Sequence, residues 1–170
     1  MAADTTKSLD GIGSGTLPEQ GIDSESATDI DLGIDLGTTR TVVARADRGN
    51  YPVISFTDEH GDEHDFIPSL TALHEGVLIH GFAARQAAHQ GAPLLRSLKR
   101  VLTSPTLTAS TPVRLGDRTF SVLEVLTSYL RHLEAELTER GIDIARARVV
   151  VAVPAHAYGA QRLLTLEAFQ

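Results

Sequence analysis

The chain has no cysteine, which excludes a disulfide framework and any thiolate metal site. It has no tryptophan, and only 5% of its residues are aromatic, so any core is aliphatic. No apolar run approaches the ~18 residues that span a bilayer, and the N-terminus lacks the basic-then-apolar pattern of a secretory signal. No membrane partner is therefore expected, and the cytoplasm is the expected compartment. Lysine is scarce as well, with Lys7 and Lys99 standing against 13 arginines, a bias that reads as genomic composition. The 170 residues carry a net charge of −7. Most of it lies at one end: residues 1–31 hold seven acidic groups and one lysine, a net of −6. The rest is near neutral. Without a basic stripe to displace counterions, no nucleic-acid partner is expected.

What is present divides in two. Residues 1–28 are rich in Gly, Ser, Thr, Asp and Ala, with isolated Leu9, Ile12, Leu17 and Ile22. They bury too little apolar surface to offset chain entropy. The expected organisation is a disordered acidic leader over residues 1–30 and a folded body over residues 31–170. Within the body, Leu32, Ile34 and Leu36 alternate with Gly33 and Asp35 as in a strand. Gly37, Thr38 and Thr39 make a turn, and residues 41–46 return as a second strand. A third strand is expected at 52–57, then a polar turn over 58–65. A hairpin follows at 69–73 and 77–79 around Glu75-Gly76.

Helices are expected at 82–90, closed by Gly91, and at 94–102. Gly116-Asp117 turns a hairpin over 113–120. The clearest helix covers 122–140. Ser121 and Glu124 form a capping box, Val122, Leu126, Tyr129, Leu130, Leu133 and Leu137 one apolar stripe, and Gly141 the stop. Residues 149–153 read as a strand buried on both faces, stopped by Pro154. Residues 161–170 read as a helix with no stop signal, whose Leu163, Leu164, Leu166 and Phe169 are still building an apolar face. The expectation is the front part of a longer protein.

The strongest chemical signal is Gly33-Ile34-Asp35-Leu36-Gly37-Thr38-Thr39. Gly37 lets backbone approach a ligand closely, and Thr38 and Thr39 add hydroxyls beside the turn's N–H groups, a set suited to phosphate oxygens. Asp35 at the strand end suits a hard divalent cation held through water. No Gly-Lys-Ser/Thr follows, so this is not a Walker A loop. Taken alone, the turn reads equally well as a plain hairpin. Lys99, in Arg96-Ser97-Leu98-Lys99-Arg100, can clamp a terminal phosphate, although a solvated helix face is the simpler reading of that residue by itself. His60, Asp62 and His64 have ligand-like spacing but sit in a polar turn, short of the four ligands of a structural site.

In order along the chain, five stretches resemble the DnaK-type, seventy-kilodalton heat-shock chaperones. Gly33 to Thr39 resembles their first phosphate loop. Ile67-Pro68-Ser69 resembles a Thr-Pro-Ser strand entry, and Gly81 with Ala83-Ala84-Arg85 a Gly-x-x-Ala helix. Leu98-Lys99-Arg100 resembles an Ile-Lys-Arg segment. Val151-Ala152-Val153-Pro154-Ala155 with Gln161-Arg162 resembles a Val-Pro-Ala…Gln-Arg passage. The resemblance spans roughly residues 31–170. It implies an α/β, actin-like ATPase (ribonuclease H-like) fold, of which this chain supplies the first half only, incomplete. It implies ATP or ADP with Mg²⁺ as cofactors. Asp35 would face the metal; Gly37, Thr38, Thr39 and Arg40 would lie along the phosphates; Lys99 would be the catalytic group orienting the attacking water. Pro154 and Arg162 resemble an allosteric relay toward a peptide-binding domain.

The departures fall at Arg40, where the chaperones usually have Asn or Tyr, and at His156-Ala157-Tyr158-Gly159, in place of an aromatic-rich stretch. The segment 100–149 is also short. They bear on the relay more than on the ATP site. No second Gly-rich phosphate loop, adenine-binding segment or peptide-binding domain is present. Unfolded peptides and co-chaperones would be reached only through other regions, and the chain alone is expected to be inactive as a hydrolase. The alternatives are a non-catalytic actin-like interaction module and, less favoured by the 154–162 passage, a sugar-kinase-type relative.

Overall fold

In the computed structural model, which describes residues 30–102, 106–152 and 168, the alternating run becomes β1 (Ile30–Leu36), with Leu32 and Ile34 buried and Gly33 and Asp35 exposed. After the turn, β2 (Arg40–Arg45) returns antiparallel, burying Thr41 and Val43. The strand expected at 52–57 does not form as one piece. Pro52 accepts from the Arg45 amide and Val53 bridges Ala44, but Pro52 has no N–H with which to extend the ladder. The chain instead turns Phe56 fully into the core. A short hairpin results, β3 (Phe56–Thr57) with β4 (Glu63–His64), inside the stretch expected to be only a turn.

β5 (Ile67–Pro68) adds to the free edge of β2. β6 (Thr71–His74) and β7 (Val77–His80) form the expected hairpin. Its turn places Glu75 at φ 50° and Gly76 at φ 79°, the paired left-handed geometry that matches strand twist. α1 (Gly81–His89) ends at Gly91, at φ 94°. There the Ala92 amide reaches the Ala87 carbonyl and the Gly91 amide that of Ala88, the paired bonds of a glycine C-terminus.

The helix expected at 94–102 is corrected to two elements. Leu94 and Leu95 pair with Ala72 and Thr71 as β8 (Leu94–Leu95), and only α2 (Leu98–Leu102) is helical. The edge of β6 opposite β7 needs backbone partners, and an extended chain at 93–95 supplies them; the Leu73 amide also donates to the Pro93 carbonyl at 3.0 Å. Ser97 then caps α2, its hydroxyl accepting from the Arg100 amide.

β9 (Pro112–Leu115) and β10 (Arg118–Ser121) form a hairpin on Gly116. It feeds α3 (Val122–Glu139), whose capping box is complete. The Glu124 amide donates to Ser121 Oγ at 3.1 Å and the Ser121 amide to Glu124 Oε2 at 2.6 Å. Every expected stripe residue of α3 is buried, and Val125 joins them. A single 3₁₀ turn at Ile144–Arg146 leads into β11 (Ala147–Ala152), which pairs with β1 in parallel.

The result is a mixed α/β chain. Its largest sheet runs β11-β1-β2-β5, beside a three-stranded sheet β7-β6-β8 and two hairpins. β11 is not buried on both faces as expected. Arg148, Val150 and Ala152 point outward, with Val150 65% exposed, because α3 covers only the opposite face and no other described element covers this one. On that outer face Arg148 forks onto Asp31, its register partner in β1. The leader through residue 29, Pro154, Arg162 and the last helix except Ala168 lie outside the described residues. Ala168 is helical and buried in the cluster beneath α3.

The core forms two main clusters, both reached by α3. One gathers Leu73, Leu98, Leu102, Val113 and Leu115 around Val122, Leu126 and Tyr129. The other gathers Leu32, Ile34, Val43, Phe56, Ile67 and Phe82 around Leu133 and Leu137. Leu137→Ala leaves a cavity in the second, and urea unfolding should register a loss of about 2–5 kcal/mol. A loss under about 1 kcal/mol would mean that α3 does not carry this cluster.

Candidate functional site

The turn between β1 and β2 is closed by its own backbone. The Gly37 amide donates to the Arg40 carbonyl at 2.9 Å, with a second contact to the Asp35 carbonyl at 3.1 Å. A Cβ at Gly37 would run into the Arg40 carbonyl oxygen, so close approach, not a left-handed φ, is what requires glycine here. Gly33, by contrast, has open space where a Cβ would stand. Thr38 and Thr39 are exposed, and the Thr39 carbonyl accepts from the Ser69 amide, tying the turn to the chain leaving β5. Asp35, two residues before Gly37, is exposed, and its carboxylate has no hydrogen bond or ion pair among the described residues. Arg40 turns elsewhere, its guanidinium stacked 4.8 Å from the centre of the Phe66 ring.

The segment 96–102 faces this turn. Lys99 and Gly37 line one pocket, floored by Leu36, Thr41, Ser69, Leu98, Leu102, Leu126 and Tyr129. Beside it lies a more polar cleft lined by Thr38, Thr39, Leu70, Arg96, Ser97 and Arg100. The cleft is the roomier of the two for a phosphate chain. The fold thus brings Gly37 and Lys99, 62 residues apart in sequence, onto one pocket, with Thr38 and Thr39 on the cleft beside it. Asp35 and Arg40 line neither space, and Pro154 and Arg162 lie outside the described residues. Arg96, Ser97 and Arg100 were not singled out from the sequence. Their sequence signal is the pair of arginines, Arg96 and Arg100, on either side of Lys99.

Beneath the turn lies a buried polar network. Tyr129 donates its hydroxyl proton to Thr41 Oγ1 at 2.7 Å, and Thr41 and Ser69 share a hydroxyl–hydroxyl bond of 3.1 Å. Burial pushes the Tyr129 phenol up to about 12, so it remains a neutral donor. His80 stands edge-on to the Tyr129 ring, with ring centres 5.6 Å apart. His80 is 4% exposed, and its two ring nitrogens contact Thr71 Oγ1 at 3.0 Å and Ser128 Oγ at 2.8 Å. Burial, helped by nearby His132, pushes its pKa down to about 4, so the ring is neutral and each hydroxyl can take the complementary role. His132 is likewise lowered by burial, against a pull upward from Glu136 and Glu139. Its Nε2 is buried without a hydrogen-bond partner among the described residues, and Gly81 leaves it room: a Cβ there would stand 2.9 Å away.

The 58–65 turn is organised by Asp58, a residue the ligand-spacing argument passed over. Asp58 Oδ2 meets His64 Nε2 and Arg85 Nη2, each at 3.0 Å, while Oδ1 accepts from the His60 and Asp62 amides. The His64 hydrogen bond leads in holding this carboxyl well below its ordinary range. His60, Asp62 and His64 therefore surround an aspartate, and no group of three His, Asp or Glu side chains among the described residues converges on a metal position.

The folded chain, then, is a mixed α/β protein with a glycine turn, two threonines and a set of cations on adjoining clefts. No family model matches it. Among curated proteins it is 30% identical over 140 residues to the chaperone protein DnaK of Mycoplasmopsis agalactiae, across 82% of this chain and 22% of that protein. It is 31% identical over 142 residues to the DnaK of Mesomycoplasma hyopneumoniae strain J, across 84% and 22%. To the DnaK of Mycoplasmopsis synoviae it is 28% identical over 143 residues, again across 84% and 22%. The chain is a distant relative of the DnaK-type, seventy-kilodalton heat-shock chaperones, related through their ATPase domain. It spans about a fifth of the length of the curated relatives it matches.

Two outcomes follow from this geometry. Gly37→Ala forces the turn off the Arg40 carbonyl and should cost about 1–3 kcal/mol in denaturant unfolding, as overpacking does; Gly33→Ala, with open space, serves as the control. The second concerns pH. Unfolded His80 takes up a proton below 6.5, whereas folded His80 resists until about 4. Stability is therefore complete above pH 6.5 and falls as the pH drops toward 4, by about 3 kcal/mol over the window. His132 acts in the same direction. Asp58, held low, adds a further loss as the pH falls below its ordinary 3.8. Thermal unfolding across pH 3–8 should show a midpoint that is level above 7 and declines below 6.5; a level midpoint down to 4.5 would exclude a neutral, buried His80.

Proposed function

We propose that residues 31–170 form the N-terminal part of an actin-like (ribonuclease H-like) nucleotide-binding domain, behind an acidic leader over residues 1–30. In its full-length context this part binds ATP or ADP with Mg²⁺ and takes part in chaperone-type ATP hydrolysis. The observation that carries the reading is the convergence of Gly37, Thr38 and Thr39 with Lys99 on adjoining clefts. The distant relationship to the DnaK chaperones supports it. Because the chain spans about a fifth of those relatives, turnover, peptide substrates and co-chaperones belong to the longer context.

Each residue has a definable part. Gly37 lets phosphate oxygens approach the turn's backbone, and the Thr38 and Thr39 hydroxyls donate to them. Lys99, with Arg96 and Arg100 beside it, supplies positive charge where negative charge develops, and its ammonium orients the attacking water. The Asp35 carboxylate, which has no partner among the described residues, fits a hard cation held mostly through water and phosphate. Mg²⁺, when bound, neutralises charge on those oxygens. Arg40 joins the phosphates only by leaving its seat on Phe66. Pro154 and Arg162 are assigned by resemblance to a relay toward a peptide-binding domain. The protein is assigned to the cytoplasm; no helix of the described residues is long and apolar enough to cross a membrane.

Single-turnover ATPase rates on the full-length protein test the reading. Lys99→Ala should spare most nucleotide affinity and slow hydrolysis by about 10²–10³, or 2.7–4 kcal/mol. Thr38→Ala should lose less, about 0.5–1.5 kcal/mol, since a neutral hydroxyl contributes less than a charged donor. Asp35→Asn should weaken the Mg²⁺ dependence of binding. Hydrolysis at the parental rate in Lys99→Ala would make a non-catalytic actin-like module the better description.

A further inference from the structure

We infer that Tyr129 is a positioning residue: it sets the separation between the glycine–threonine turn and the Lys99 helix. The inference rests on the nucleotide-site reading above for its catalytic consequence, but not for its geometry.

A phenol in the middle of an aliphatic helix stripe is a costly choice for packing alone, since its hydroxyl must find a partner. On α3 the neighbouring stripe residues are Leu126, Leu130 and Leu133, and a further leucine would bring no polar atom to pair. The Tyr129 hydroxyl instead donates to Thr41 Oγ1 at 2.7 Å, with the Pro68 carbonyl 3.4 Å away. Thr41 is the first buried residue after the turn, opposite Leu36 in the β1–β2 register. Ser69 joins through its own hydroxyl, and its amide holds the Thr39 carbonyl. One phenol therefore holds the turn through β2 directly and through the chain leaving β5.

The same helix supports the opposite wall. Leu98 and Leu102 of α2 pack in one cluster with Leu126 and Tyr129, and Lys99 stands between those two leucines. Gly37, Lys99 and Tyr129 line a single pocket. The turn is bolted to α3 by a hydrogen bond and the Lys99 helix by apolar packing, so the Tyr129–Thr41 bond sets the gap between them. His80 closes the ring from the other side, edge-on, leaving the phenol little freedom to swing away.

Tyr129→Phe keeps the ring and removes only the donor; Thr41→Val keeps the volume and removes the acceptor together with its bond to Ser69. In the full-length protein without nucleotide, hydrogen exchange at the Gly37 and Ser69 amides should speed up about 3- to 10-fold in either variant, the reach of one buried hydrogen bond. Exchange in the β9–β10 hairpin should stay parental. Single-turnover ATP hydrolysis should slow by about 3- to 10-fold while ATP affinity stays within about twofold. The double variant should be no worse than Thr41→Val alone, which already removes the Tyr129 bond. Exchange that rises evenly through the fold, or does not change at the turn, would make Tyr129 an ordinary core residue and overturn the inference; so would faster exchange at the turn with a parental hydrolysis rate. If the parental protein turns over no ATP, the nucleotide reading fails separately, and the exchange pattern alone decides whether Tyr129 holds the turn.

Discussion

The apolar stripe of α3 has to be buried in two places at once, and most of the architecture follows from that. Its first half, from Val122 to Leu130, lies against α2 and the β9–β10 hairpin; its second half, Leu133 and Leu137, lies against β1, β2 and Phe56. Neither half is long enough to hold a helix by propensity alone, because isolated helices of a few turns are marginal in water. Burial in both clusters makes α3 a strut between the large sheet and the smaller elements. The capping box at Ser121–Glu124 fixes where the strut begins. At the other end the Ile142 amide bonds back to the Leu137 carbonyl, and both side chains share the second cluster. A shift of one residue along α3 would misalign both contacts together.

That strut also explains why the clefts are where they are. The β1–β2 turn and α2 are each attached to α3 or to strands resting on it. Their separation is inherited from a common support. Side chains on rigid elements are held more closely than side chains on loops, and here the threonines sit on a two-strand turn and Lys99 on a capped helix.

Sequence made the local decisions readable and left the non-local ones open. Glu75-Gly76, Gly91, Gly141 and the Ser121–Glu124 box act through their immediate neighbours, and each does what its chemistry dictates. The errors share a cause. Leu94 and Leu95 have helical company in sequence, but the unpaired edge of β6, more than twenty residues earlier, claims them as strand. Pro52–Thr57 is broken by what Phe56 finds in the core, and β11 is half-exposed because burial depends on neighbours that composition does not reveal. At the site, the Gly37 turn was legible because a missing Cβ is a local fact. Nothing in the spacing around Lys99 pointed to the turn; family resemblance did. Asp58 with Arg85, and His80 with Ser128, pair across 27 and 48 residues, and no periodicity announces such pairs.

Charge and neutrality are distributed between the two layers of the site by solvation. Every buried group under the turn is neutral. Tyr129 is kept protonated and His80 deprotonated by the same cause, since an apolar interior disfavours whichever form carries charge. Hydroxyls and a neutral imidazole satisfy one another there without requiring a counter-ion. Arg96 and Arg100 are exposed at the rim of the cleft. An anionic ligand entering the cleft would meet charge at the rim and fixed dipoles behind it. A buried cation in place of Tyr129 would be a stronger donor in principle. Without a carboxylate to pair it, desolvation would depress its pKa until it became neutral. A phenol pushed up to about 12 remains a donor across the neutral range, which is what a group that fixes distance, rather than one that reacts, requires.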